Sequence, residues 1–205
     1  FFSKEATAVP TELCTDWEAV NVPHCWNAVD GQDGGNDYWR GTAYYAKAIA
    51  KADLPVSDRY YLEIQGANSS ADVYMNGKHL AHHDGGYSTW RADITAEIGP
   101  KTMIAIAVDN APNDTVYPQV ADFTFYGGIY RSVKLVCVSK THFDLDYYGA
   151  PGVMVTPIVN GKNADVTIES FVTNPDGATI SYKIFDGDTV VCEAQTAATD
   201  TKVSV

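Results

Sequence analysis

Asp122-Phe123-Thr124-Phe125-Tyr126-Gly127-Gly128-Ile129-Tyr130-Arg131 is the stretch on which the reading of this chain turns. It sets an acid beside an aromatic cluster, follows with a glycine pair and runs directly into the apolar strand of Val133, Leu135 and Cys137. The glycine pair permits a backbone path that a Cβ resists. The acid stands just ahead of the sheet, where a loop can present it to a ligand. For the glycines alone, a tight turn entering a core strand is the plainer reading. The ten-residue string is far more specific.

Working outward, the preceding chain alternates repeatedly. Tyr60, Leu62 and Ile64 alternate with Tyr61, Glu63 and Gln65, which predicts a strand with one buried face. Ala71, Val73 and Met75 alternate with Asp72, Tyr74 and Asn76. Asn76-Gly77 then reads as a hairpin turn, because both residues tolerate positive φ, with Lys78 to His82 as the return strand. His82-His83 reads as the solvated end of that hairpin, and Asp84-Gly85-Gly86-Tyr87 as a second turn. Ile104, Ile106 and Val108 mark another strand. A long loop from Asp109 to Val120 delivers the chain to the motif. Further back, Val20 to Asn27 reads as a short strand ended by Pro23 and then a polar, aromatic loop; Tyr38 to Ile49 reads as an aromatic-rich strand. Many short strands, many turns and no amphipathic helix imply an antiparallel sandwich of the jelly-roll kind over residues 1–140.

The remainder, 141–205, is plainer. Val166, Ile168 and Val172 share one face, Ile180, Tyr182 and Ile184 another, and Thr189 to Ala194 forms a third strand. Turns fall at Asn160-Gly161, Asn174 to Gly177 and Asp186 to Asp188. This spacing suggests an immunoglobulin-like sandwich. Such domains run to about 100 residues, so a truncated one with an exposed sheet edge is expected.

Composition narrows the function. The net charge of −12 over 205 residues argues against nucleic acid and anionic membrane surfaces as partners. No apolar run is long enough to span a bilayer; the compartment, cytoplasmic or exported, stays open. Cys14, Cys25, Cys137 and Cys192 form no Cys-x-x-Cys pair and read as free buried thiols. Asp30 to Asp37 gathers acids and glycines that could offer oxygen ligands to calcium, but its spacing departs from the Asp-x-Asp-x-Asp-Gly loop, so a solvated loop is expected.

Four strings occur in one order: Val22-Pro23-His24-Cys25-Trp26-Asn27; Tyr38-Trp39-Arg40-Gly41 through Tyr45; Val73 to Lys78 with Gly85-Gly86-Tyr87; and Asp122 to Arg131. Together they resemble the N-terminal sugar-binding, galactose-binding-like domain of family 2 glycoside hydrolases, and the form of the last string looks most like the β-galactosidases. The resemblance implies a retaining mechanism run by two glutamates on a (β/α)-barrel of the same polypeptide. This chain has no Asn-Glu dipeptide to match the acid/base. No catalytic residue is expected here, and the 205 residues alone are expected to be inactive.

The resemblance further implies that Asp122 reaches into the barrel pocket and accepts hydrogen bonds from the hydroxyls of a β-galactoside. The plainer role for Asp122 is a loop cap or an ion pair with Arg131. Asn27 is a second candidate sugar contact, weighed against an Asx-turn role. His24 and Trp26 could line the same rim, although a Trp in a sandwich is more often core. Arg131 is expected to anchor the turn, and Glu63 to be a paired structural carboxylate. The chain itself calls for no cofactor; a sodium or magnesium ion belongs to the complete enzyme the resemblance implies. A β-glucuronidase-type member, a free-standing carbohydrate-binding module and a purely structural β domain are the alternatives.

Overall fold

The computed structural model describes residues 1–30, 38–121 and 124–205. Asp122, and residues 31–37 of the loop considered for calcium, lie outside the described residues. The chain divides into two compact units, Phe1–Cys137 and Val138–Val205, three residues ahead of the division expected between residues 140 and 141.

The first unit contains β1 (Phe2–Ser3), β2 (Thr42–Ile49), β3 (Arg59–Ile64), β4 (Ser70–Met75), β5 (Lys78–Asp84), β6 (Trp90–Asp93), β7 (Thr102–Asp109) and β8 (Val133–Val138). Among the described residues these form one sheet ordered β1-β2-β7-β4-β5 and a second ordered β6-β3-β8. The alternating apolar residues face inward and meet between the sheets. Leu62 and Ile64 from β3, Ala71, Val73 and Met75 from β4, and Ile104, Ile106 and Val108 from β7 share one core with Phe2, Trp26 and Tyr45.

Central position explains why β7 is also covered on its other face. Its Ala107 lies opposite Tyr44 of β2, and its Ala105 opposite Tyr74 of β4. Residues directly opposite on antiparallel strands share a face, so each small alanine sits beside one large ring. The Asn76-Gly77 hairpin takes φ of 51° and 83°, as its sequence requires. The Asn76 side-chain oxygen also accepts the Met103 backbone N–H at 2.8 Å.

Several expectations change in detail. β3 buries both faces: Tyr61 and Glu63, on the polar side of the alternation, are buried along with Leu62. Glu63 tolerates this because Arg91 Nε donates to it at 2.8 Å and Gln65 Nε2 at 3.0 Å. Val20 to Val22 is not a strand. The backbone there turns toward the motif instead, with His24 N donating to Ile129 O at 2.7 Å and Trp26 N to Gly127 O at 3.3 Å. His82 and His83 lie within β5 rather than at a hairpin end; His82 bonds Asp72 at 2.9 Å and His83 stacks on Trp90. All four cysteines are free, but three are half-buried and Cys192 is exposed.

The second unit contains β9 (His142–Phe143), β10 (Val153–Asn160), β11 (Asn163–Thr173), β12 (Thr179–Asp186), β13 (Thr189–Ala197) and β14 (Lys202–Ser204). β10, β11 and β14 form one sheet, with β9 also pairing β11, while β12 and β13 form a separate hairpin. Val172, Ile180, Tyr182 and Ala198 make its small core. β10 lies outside the strands expected from sequence and carries Pro157. At a sheet edge a proline is tolerated, and Pro157 sits on that edge opposite Val166. Val155, Ile158 and Val159 of this edge strand are exposed, as are Phe185 and Val191 of the hairpin.

Candidate functional site

At one end of the first unit, β3 ends at Ile64, β5 at Asp84 and β7 at Asp109, while β2 starts at Thr42 and β4 at Ser70. The Thr42–Asp109, Ser70–Asp109 and Ser70–Asp84 pairings bring these positions side by side. The loops 65–69, 85–89 and 110–132 therefore leave the sandwich together. The long third loop carries the motif, and the segments 24–30 and 38–41 lie against it.

Asn27 is the centre of this assembly. It is 0% exposed. Its Nδ2 donates to Asp30 Oδ2 at 2.6 Å and to Trp39 O at 2.8 Å. Its Oδ1 accepts the Gly127 backbone N–H at 2.7 Å and Asn110 Nδ2 at 3.1 Å. The amide's hydrogen-bonding capacity is thus spent inside the protein. As described, Asn27 positions the motif and offers no free polar atom to a ligand. Its backbone carbonyl accepts Asp30 N at 3.2 Å, a main-chain turn, whereas the side-chain oxygen an Asx turn would use is engaged by Gly127 and Asn110.

Two further asparagines extend the network, and neither was singled out from sequence. Asn110, immediately after β7, accepts the Gly41 N–H at 3.0 Å and donates to Phe125 O at 3.3 Å. Asn68, ahead of β4, donates through its side chain to Tyr126 O at 2.6 Å and through its backbone to Gly128 O at 3.0 Å. Tyr117 donates to the Asn68 side-chain oxygen. A polar residue abutting the end of an alternating strand was the signal, but it carries little without knowing that the strand ends meet.

The glycine pair is required by close approach. A Cβ on Gly127 would overlap the Trp26 indole; one on Gly128 would strike the His24 carbonyl, and Gly128 has φ of 126°. Trp26 is core, stacked on Phe2 and set edge-on to Trp39. His24 is half-buried and bonded through Nδ1 to the Tyr45 hydroxyl at 2.8 Å. Burial lowers the His24 pKa, so its neutral form is favoured. Burial raises that of Tyr45. Arg131 donates to Tyr87 O at 3.0 Å, an anchoring role as expected.

The loop ahead of the motif is fastened as well. Asn113 Nδ2 donates to Ser70 Oγ at 2.9 Å, Thr115 Oγ1 to Asp84 at 2.7 Å and Gln119 Nε2 to Ser69 Oγ at 2.8 Å. Arg40 donates through Nε to Asn110 O at 2.7 Å and through its guanidinium to Gln119. The segments on both sides of Asp122 are therefore held by the strand ends. Among the described residues no group of His, Cys, Asp or Glu is arranged to hold a metal ion, and no helix is long and apolar enough to cross a membrane.

A two-sheet sandwich whose strand-end loops close over a buried asparagine network defines the chain as a galactose-binding-like β-sandwich joined to a second all-β unit. Residues 9–126 match the family model described as glycosyl hydrolase 2 galactose-binding domain-like, and the chain belongs to that family. It is 36% identical over 184 residues to a β-glucuronidase of Bacteroides fragilis, a match covering 87% of this chain and 26% of that protein. It is 25% identical to a β-galactosidase of Thermoanaerobacter pseudethanolicus, covering 84% of this chain and 25% of the relative. Among solved structures, the FMN-binding β-glucuronidase from Facaelibacterium prausnitzii L2-6 superposes with a TM-score of 0.84 at 44% identity, over 91% of this chain and 30% of that one. The chain thus spans under a third of the length of these relatives and corresponds to the N-terminal part of family 2 glycosidases.

Proposed function

We propose that this chain is the substrate-recognition portion of a retaining β-glycosidase whose preferred substrates are β-glucuronides. The observation that carries this reading is the 36% identity to a β-glucuronidase across 87% of the chain. A β-galactosidase is the second reading. It is favoured by the form of the Asp122 to Arg131 string and by the relatives of that name. In both readings the two catalytic glutamates stand on a barrel elsewhere in the polypeptide, and Asp122 supplies a carboxylate that accepts sugar hydroxyls. Asn27, Asn68 and Asn110 hold the loop that carries it.

The test is the complete polypeptide assayed on nitrophenyl β-glucuronide and β-galactoside. The expected result is kcat/KM at least about a hundredfold higher on the glucuronide. Preference for the galactoside would replace the first reading with the second. Hydrolysis of neither would overturn both. In the same protein Asp122→Asn is expected to lower kcat/KM by about a hundredfold or more while leaving the melting temperature unchanged.

A further inference from the structure

Arg40 stands just ahead of β2, and it is half-buried. Its side chain reaches two separate points of the loop that carries the motif. Nε donates to Asn110 O at 2.7 Å, where the loop leaves β7, and the guanidinium donates to the side chain of Gln119. Gln119 is tied onward to Ser69 Oγ at 2.8 Å. Arg40, Pro112, Val116, Pro118 and Gln119 line a cavity of about 360 Å³. The inner side of this stretch is therefore not packed solid, and hydrogen bonds hold it more than burial does.

Tyr38 completes a clasp. The Arg40 guanidinium lies 5.7 Å over the Tyr38 ring. The Tyr38 hydroxyl donates to Phe125 O at 2.5 Å. One arginine and the tyrosine beside it thus hold Gln119 on one side and Phe125 on the other. In sequence, Asp122 lies midway between those two anchors. Three residues of chain reach at most about 10 Å, so fixing both anchors confines what lies between them.

We infer that Arg40 and Tyr38 are positioning residues for substrate recognition, which fix the chain on both sides of Asp122 and so set where its carboxylate is presented. The inference rests on the recognition role proposed for Asp122 and deepens it. Arginine suits the task because its planar fork serves Asn110 and Gln119 from one rigid group while lying against a ring. A lysine at this position is a point charge on a flexible stem and cannot keep all three contacts. Neither residue touches the sugar; both act through Asp122.

The test is a double-mutant cycle in the complete polypeptide, assayed on the nitrophenyl glycoside of its preferred sugar. Arg40→Lys is expected to lower kcat/KM about tenfold in the wild-type background and less than about twofold beside Asp122→Asn, because misplacing a carboxylate costs nothing once the carboxylate is gone. Tyr38→Phe keeps the ring and loses only the bond to Phe125 O. It is expected to follow the same pattern with about a threefold loss, and it carries the test alone if Arg40→Lys does not fold. Losses equal in both backgrounds assign the two residues to the fold and overturn the inference, as does no loss from either. If Asp122→Asn alone changes nothing, or the wild-type polypeptide hydrolyses no glycoside, the recognition reading has failed and the clasp is read by amide hydrogen exchange. Exchange over residues 119–125 is then expected to be at least about tenfold faster in Arg40→Lys than in wild type; equal rates overturn the clasp.

Discussion

The Asn27 side-chain oxygen accepts the Gly127 backbone N–H at 2.7 Å, joining positions 100 residues apart in the chain. The same oxygen takes Asn110 Nδ2 at 3.1 Å. One buried amide therefore sets the path of the motif against both the 24–30 segment and the end of β7. Asn27→Ala leaves buried donors at Gly127 and Asn110 without this acceptor. Asn110 keeps its bond to Phe125 O, whereas an unpaired buried Gly127 N–H costs on the order of 1–3 kcal/mol, so a loss of about 2 kcal/mol is expected. A urea denaturation midpoint for the first unit equal to that of wild type would remove Asn27 from this structural role.

Gly127→Ala and Gly128→Ala fail for different reasons. At Gly127 the obstacle is the Trp26 indole; at Gly128 it is the backbone of His24 together with φ of 126°. A side chain can shift and a packed backbone resists, so Gly128→Ala is expected to be the worse, by more than about 1 kcal/mol. The comparison is made by thermal melts. Near-UV circular dichroism should register the displaced Trp26 in Gly127→Ala and much less of it in Gly128→Ala.

Periodicity made the first unit legible. Leu62 and Ile64, Val73 and Met75, and Ile106 and Val108 all face the core that their alternation implied. It failed where burial does not depend on alternation. Glu63 is buried in an ion pair with Arg91, and Pro157 sits in an edge strand whose residues are mostly exposed. The close approach at the glycine pair was legible in the motif, and its supports were not. Asn68 and Asn110 matter because three separate strand ends meet beside them, a relationship no local pattern records. Asn27, expected as a candidate sugar contact or an Asx turn, is buried with its side-chain amide bonded to Asp30, Trp39, Gly127 and Asn110.

The Glu63–Arg91 pair supplies a third prediction. Burial pushes the Glu63 pKa up, but the hydrogen bonds from Gln65 and Arg91 and the charges of Arg91 and Lys134 outweigh it and hold the group below its ordinary value. A depressed folded-state pKa adds stability above the unfolded pKa and loses it as pH falls through the folded one. Arg91→Leu at neutral pH leaves a buried carboxylate with weaker partners and is expected to cost about 3 kcal/mol. The stability advantage of wild type over Glu63→Gln should vanish as pH drops below the carboxylate range. Chemical denaturation at neutral and acid pH checks both, and an advantage that persists in acid would contradict the pairing.

The outer face of β4 and β5 gives the opposite pH sign. His82 Nδ1 bonds Asp72 Oδ1 at 2.9 Å and its Nε2 lies 3.1 Å from Asp84 Oδ1; His79 Nε2 also reaches Asp72, at 2.7 Å. Burial lowers the His82 pKa, but bonding and charge from Asp72 and then Asp84 outweigh it and raise the group above its ordinary value. A raised folded-state pKa contributes stability that is complete below the unfolded pKa and is lost as pH rises through the folded one. Asp84 is also the acceptor for Thr115, so the effect reaches the loop that precedes the motif. His82→Gln keeps a polar side chain and removes the titration. Melting temperatures of wild type and His82→Gln are expected to differ most at mildly acidic pH, with wild type higher, and to converge as the solution becomes alkaline. The His83 pKa is lowered by burial and, against the Asp84 charge, by the His82 charge, so it shifts between the two proteins and the comparison is made in a His83→Gln background. A difference that stays constant with pH would show that His82 acts by packing alone.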